Sequence, residues 1–163
     1  MNTLKSNLDT TDWAILRELQ TDARLSYAEI GRRVGLSSPA VQERIRRLED
    51  RGIIEGYHAK VNLEQLGLPL MGVIRVANVL DFDSKQKVID IFQNLPEVTA
   101  CYQLTGEDEF VIHIHAQSIA HMSKIKMNFA PYTRLITSIV IKQPIDGRVI
   151  SLETFPYLSE ESE

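Results

Sequence analysis

SYAEIGRRVGLSSPAVQERIRRLEDR, residues 26–51, reads as two short helices joined by a tight turn, the second of them rich in arginine. Ser26 and Glu29 have the Ser-x-x-Glu spacing of a capping box, and Leu25 with Ile30 occupy the two positions of a hydrophobic staple. Ile30 and Val34 then face a core, and Gly35 is a residue able to end the helix in left-handed backbone. The turn Gly35-Leu36-Ser37 leads into a further helix, which Ser37 or Ser38 can cap and whose first turn tolerates Pro39. In that helix Val41, Ile45 and Leu48 form one stripe at spacings of four and three. The opposite face gathers Pro39, Glu43, Arg46, Arg47 and Asp50, with Gln42 and Arg44 on its flanks. The order of helix, turn and helix is that of a helix-turn-helix, whose second helix enters the major groove of DNA.

The N-terminal turns of such a helix sit deepest in the groove. Ser37, Ser38, Pro39, Gln42, Glu43, Arg46 and Arg47 are therefore the candidate DNA-binding residues. Gln pairs with adenine, Glu accepts from cytosine, and arginine offers a planar fork to guanine or to a phosphate. A charge run alone would read as a solvated face of an ordinary bundle. Here turn chemistry, helix order and arginine placement agree on double-stranded DNA as a partner.

Working outward, Asp9 and Asp12 look like a cap and its capping-box partner for a preceding helix, in which Ile15, Leu16 and Leu19 make an apolar stripe. Trp13 falls beside that stripe as a packing residue. Downstream, Gly52 ends the second helix of the motif, and Ile53, Ile54 and Tyr57 begin an extended stretch. His58 is an exposed or packing residue of it rather than a metal ligand.

LDTTDWAILRELQTDARLSYAEIGRRVGLSSPAVQERIRRLEDRGIIEGYHAKVN, residues 8–62, resembles the DNA-binding domain of the leucine-responsive (Lrp/AsnC, or feast/famine) regulators. The shared features are LD-x-x-D-x-x-IL-x-x-LQ, AR-x-SY-x-E-I, VGLS and R-I-x-R-L-E-x-x-G-I-I-x-GY. The resemblance implies a winged helix-turn-helix domain, a sequence-specific transcription regulator, and homodimers that often assemble further into tetramers, octamers or rings.

The chain has 163 residues and a formal charge of −4, which argues against a histone-like coating protein. Residues 1–60 carry ten Lys+Arg against nine Asp+Glu, and residues 61–163 eight against thirteen. A DNA domain so weakly charged needs a second copy beside it. Cys101 is the only cysteine, which excludes an intrachain disulfide and a cysteine-based zinc site. No apolar run suits a signal peptide or a membrane span, so the expected address is the cytoplasm. The acidic end SEESE reads as a solvated terminus.

Residues 61–69, VNLEQLGLP, hold the turn signals Asn62, Gly67 and Pro69 and read as a linker between a domain at 1–60 and another at 70–163. MGVIRVANVL reads as a strand. Asp83 or Ser84 can cap a helix running to about Leu95. VTACYQLT and EFVIHIHA are strands, Ser118 caps another helix, RLITSIVIKQPI is a fourth strand, and GRVISLETF adds an extended piece. The order βαββαβ makes the fold class α+β, with a ferredoxin-like C-terminal (RAM) domain. Its sheet has helices on one face only, and a second copy is the simplest cover for the other.

The strand connection LTGEDEF is the second chemically suggestive place. Glycine there lets backbone N–H groups approach a ligand closely. The family resemblance places an amino-acid effector pocket between subunits at this loop, with Thr105, Gly106 and Glu107 matching the usual pattern. Asp108 stands where an aromatic is usual and Glu109 where Asp is usual. Glu107, Asp108 and Glu109 offer acceptors suited to an α-amino group or a cationic side chain. Thr137 and Ser138, on the last strand, complete the candidate effector-binding set. A plain polar hairpin is the alternative.

His113 and His115 share a strand face and His121 follows on a helix. Metal binding or proton transfer is one reading. Sheet-face histidines at a dimer interface, making assembly sensitive to mild acid, is the preferred one. No metal or cofactor is expected, and Cys101 reads as a small buried hydrophobe. Two alternatives stay open beside the effector-responsive regulator: an effector-independent or architectural DNA-binding protein, and a tetrapyrrole (siroheme) decarboxylase-like enzyme. The arginine-rich helix argues against the enzyme.

Overall fold

The computed structural model describes residues 8–77, 79, 81–155 and 158; SEESE lies outside them. The chain divides into two compact units: one runs to Ala59 and takes back the chain from Ile145, and the other spans Lys60–Pro144.

The first unit is built on helices α1 (Thr10–Thr21), α2 (Tyr27–Val34) and α3 (Ser38–Asp50). Asp9 caps α1 by accepting the Asp12 N–H at 2.7 Å, and the Asp12 carboxylate returns the contact to the Asp9 N–H at 3.3 Å. Ile15, Leu16, Ile30, Val41, Ile45 and Leu48 make the core. Burying each such side chain stabilises the unit by roughly 1.5–3 kcal/mol. After α3, the N–H groups of Ile53 and Ile54 both donate to the Leu48 carbonyl, which folds the chain back under the core. The expected strand does not form there: residues 55–62 run without a ladder partner among the described residues.

The C-terminal piece also departs from expectation. The expected extended piece is grouped with the helical unit and not with the sheet. The Gln20 side-chain amide brackets the backbone of Ile150, donating to its carbonyl at 2.9 Å and accepting its N–H at 2.8 Å. Arg17 meets Glu153 at 3.3 Å, Ser151 is buried, and Trp13 lines a groove with Ser151 and Leu152. Residues from Ile145 onward thus belong to the helical unit rather than to a 70–163 domain, because α1 satisfies backbone groups that an edge strand would leave open.

The second unit contains β1 (Leu70–Ala77), α4 (Phe82–Asn94), β2 (Val98–Gln103), β3 (Asp108–Ala116), α5 (Ile119–Met127), a 3₁₀ turn (Ala130–Tyr132) and β4 (Arg134–Ile139). Asp81, not Asp83 or Ser84, caps α4 by accepting the Ser84 N–H. The sheet order is β2-β3-β1-β4, antiparallel throughout, as the βαββαβ order requires. Ile74, Val76, Phe110, Ile112, Ile114 and Ala116 alternate onto one face and bury against Val88 and Phe92 of α4 and Met122 and Ile125 of α5. Phe92 meets Phe110 and Phe129 edge-on, at 5.8 and 5.3 Å between ring centroids.

Two bulges break the alternation. Val76 pairs with Phe110 but Ala77 with Asp108, so Glu109 is an extra residue. Val98 pairs with Ile114 but Ala100 with His113, so Thr99 is another. The face away from the helices carries Val73, Arg75, Tyr102, Val111, His113, Ile136 and Ser138; Tyr102 remains 53% exposed and Ile136 37%.

Candidate nucleic-acid interface and effector loop

The turn of the helical unit is made by close backbone approach. α2 ends at Gly35, in left-handed backbone with φ 73°, and the Leu36 N–H closes onto the Gly31 carbonyl at 2.9 Å. A Cβ on Gly31 would lie 2.4 Å from the Leu36 carbonyl oxygen, so only glycine lets the two helices meet here. Gly31 was not singled out in the sequence; a glycine on the buried face just ahead of a turn was the available signal. The capping box forms as expected, Ser26 N–H and Oγ reaching Glu29 Oε2 at 2.9 and 2.7 Å, and these contacts hold the Glu29 carboxyl below its ordinary range.

α3 buries Val41, Ile45 and Leu48 completely and thereby turns the other side outward. Ser37, Pro39, Gln42, Glu43, Arg46 and Arg47 are exposed on it, and Ser38 is half-buried. Ser37 is the first residue of the cap, but neither it nor Ser38 supplies the expected side-chain hydrogen bond. No side-chain cap takes up the N–H groups of the first turn, which stand at the positive end of the helix dipole, the arrangement that favours a phosphate. Arg46 touches Asp50 at 3.6 Å with both side chains about two-thirds exposed or more; such a pair contributes only ~0.3–0.5 kcal/mol and yields readily to a phosphate.

Other arginines of the same stretch are paired with carboxylates of the first helix and its cap. Arg33 binds Glu18 of α1 at 2.7 Å and holds that carboxyl below its usual range. Arg44 reaches Asp9 and Asp12. Sequence alone gives no sign of which guanidiniums are committed to the protein.

In the second unit Thr105, Gly106 and Glu107 form the exposed tip between β2 and β3, with Gly106 at φ 122°. Two of the three carboxylates in and beside the loop have cationic partners within the chain. Asp108 is already paired with Arg75 of β1 at 3.4 Å, and Glu109 with Lys85 of α4 at 3.2 Å. The bulge at Glu109 shifts the register by one residue, so that Asp108 lies opposite Ala77 and meets Arg75 while Glu109 meets Lys85.

Thr137 and Ser138 are likewise divided. Thr137 pairs with Ile74 on the helix-covered face, its hydroxyl buried without a partner, whereas Ser138 pairs with Val73 on the open face. Because β1 lies between β3 and β4, these residues stand ~10 Å or more to the side of the loop. One copy of the chain does not bring the candidate effector set together.

The histidines separate too. His113 stacks edge-on with Tyr102, and His115 Nδ1 lies 3.1 Å from Thr99 Oγ1, both on the open face. His121 is tied to Glu97 at 3.2 Å by Nε2 and accepts the Gln117 N–H at Nδ1. No three His, Cys, Asp or Glu side chains among the described residues are placed to share a metal ion. Cys101, expected buried, is exposed on edge strand β2, although partial shelter pushes its thiol pKa up.

Burial, with His113 beside it, lowers the pKa of His115 from its ordinary 6.5. The unfolded chain then binds a proton that the folded chain refuses, so stability is full above about pH 6.5 and declines as pH falls toward the folded pKa. Urea midpoints measured from pH 7.5 to 5.5 should fall less steeply in His115→Gln than in the parent; equal slopes would show that His115 does not contribute.

Among the described residues no helix is long and apolar enough to cross a membrane. Residues 8–49 match the family model of the AsnC-type helix-turn-helix domain, and residues 74–150 that of the Lrp/AsnC ligand binding domain. The chain is 34% identical over 136 residues to the HTH-type transcriptional regulator LrpC of Bacillus subtilis, covering 83% of this chain and 93% of LrpC. It is 34% identical over 118 residues to the leucine-responsive regulatory protein of Rhizobium meliloti, covering 72% and 76%. A transcriptional regulator of Neisseria meningitidis, solved as an L-Met complex, superposes with a TM-score of 0.82 at 28% identity, over 91% of this chain and 99% of that one.

Proposed function

The chain belongs to the Lrp/AsnC family of transcriptional regulators, and from that premise we propose that it reads DNA through the outer face of α3 and answers to an amino acid through its second unit. The observation that carries the DNA contact is the division of α3: Val41, Ile45 and Leu48 are sealed in the core, which commits Gln42, Glu43, Arg46 and Arg47 to solvent. Two copies joined across the open sheet face would cover Tyr102 and Ile136 and present two such helices. Half-sites on one side of the duplex would then lie about one helical turn, ~10 bp, apart or a multiple of it.

The effector reading rests on the L-Met complex of the Neisseria relative and on the loop Thr105-Gly106-Glu107. Asp108 and Glu109 are engaged by Arg75 and Lys85, so Glu107 and the backbone around Gly106 are what the loop offers a ligand. Completing the pocket with Ser138 calls for another copy, which links occupancy to assembly. A coupling of ~1–3 kcal/mol is enough to change DNA affinity several-fold or more. The relatives are regulators, and we assign no enzymatic activity; the cytoplasm is the matching address.

The test is binding to the duplex upstream of its own gene, at one fixed salt concentration, with and without pooled amino acids. A shift in affinity or stoichiometry supports the effector reading. Tight binding with no shift favours control by protein concentration, and no duplex binding overturns the DNA reading. Gly106→Ala, which puts a Cβ at φ 122°, should leave DNA affinity unchanged and blunt the shift.

A further inference from the structure

One guanidinium on the recognition helix does not face outward. Arg44 Nη1 lies 2.6 Å from Asp9 Oδ2 and 2.7 Å from Asp12 Oδ1. Asp12 is only 5% exposed, and its carboxylate also takes part in the capping box that starts α1. One nitrogen thus joins the cap of α1 to the middle of α3. The contact holds the Asp9 carboxyl below its ordinary range, so both charges persist at neutral pH.

Apolar packing of Val41, Ile45 and Leu48 resists separation of the helices but is non-directional. A guanidinium between two carboxylate oxygens is directional. Rotating α3 by about 20° moves atoms ~6 Å from its axis by about 2 Å, enough to break a hydrogen bond. The same rotation would swing the outward side chains away from their base edges.

We propose that Arg44 is a positioning residue of the DNA interface: it touches no DNA, and its clamp on Asp9 and Asp12 sets the attitude at which Gln42, Glu43, Arg46 and Arg47 meet the groove. This rests on the reading of α3 as the recognition helix.

The experiment uses the full chain and a duplex carrying its upstream site, titrated at several salt concentrations and below the melting of every variant. Arg44→Ala should weaken binding about 10-fold while keeping the parent's dependence of log K on log salt, since no phosphate contact is lost. Arg47→Ala, in parallel, should flatten that dependence by about 0.9 per contact removed. Arg44→Lys should recover much of the affinity, because a single nitrogen reaches both carboxylates.

If Arg44→Ala flattens the salt dependence as Arg47→Ala does, Arg44 contacts DNA and the proposal falls. Unchanged affinity for Arg44→Ala overturns it as well. A second arm needs no DNA: Arg44→Ala and Asp12→Asn should each lower the melting of the helical unit, and the double variant should melt close to the lower of the two. Additive losses would show that the clamp does not exist in solution. Should the parent bind no duplex, the recognition-helix reading fails on its own, and the melting cycle still decides whether Arg44 fixes α3 to α1.

Discussion

Replacing Arg46 and Arg47 together with alanine is expected to weaken duplex binding by about 100-fold per half-site at 0.1 M salt, with the fold intact. The size follows from two guanidiniums, each contributing ~1–1.5 kcal/mol to bases or phosphates, where 1.4 kcal/mol is a factor of ten. The slope of log K against log salt should become shallower by about 0.9 for each phosphate contact removed, and a dimer carries the change on two helices. Folding should not suffer. Both residues are exposed, and the Arg46–Asp50 contact at 3.6 Å is worth only ~0.3–0.5 kcal/mol. Far-UV circular dichroism and melting of the double variant should therefore overlay the parent. Parent-like affinity would place the recognition face elsewhere on the unit.

Gly31→Ala is expected to produce the largest loss of stability per atom added. The new methyl carbon would begin 2.4 Å from the Leu36 carbonyl oxygen, a backbone atom that cannot rotate away. The N–H of the same residue is committed to the Gly31 carbonyl at 2.9 Å, so relief requires opening the turn itself. Such overpacking costs ~1–3 kcal/mol, or a fall in melting temperature of roughly 4–8 °C per kcal/mol for a domain this size. DNA binding should fail with it, since the turn sets the angle between α2 and α3. Gly35→Ala is the informative control. Nothing lies within 4 Å of its Cβ position, and only the left-handed φ of 73° is penalised, at ~1 kcal/mol. If the two variants melt alike, close approach is not what selects glycine at Gly31. Hydrogen exchange resolved by segment should show the β-sheet unit unaffected in both.

Much of the fold was legible because it is encoded over short distances. The Ser26–Glu29 box, the 41–45–48 stripe and the βαββαβ order each depend on residues within a few positions of one another, and each appears in the structure. The Asp9–Asp12 cap was equally readable. What Asp12 does with its second oxygen was not, since Arg44 lies 32 positions away. Nor does anything in RRVG or QERIRR distinguish Arg33 and Arg44, which bind α1, from Arg46 and Arg47, which do not. The partners of the loop carboxylates were illegible for a similar reason: Arg75 and Lys85 come from other elements, and the extra residue at Glu109 shifts the pairing register.

By itself, then, the amino-acid sequence determined the two kinds of domain, the helix-turn-helix, the family and the outward set on α3. Caps, turns and amphipathic periods act through local backbone geometry and are written in neighbouring residues. Only the tertiary structure decided which charges are spent internally, that Thr137 rather than Ser138 takes the helix-covered face of β4, and that the chain from Ile145 returns to α1. Those outcomes depend on pairing register and on contacts between distant segments, where a one-residue shift exchanges a buried side chain for an exposed one.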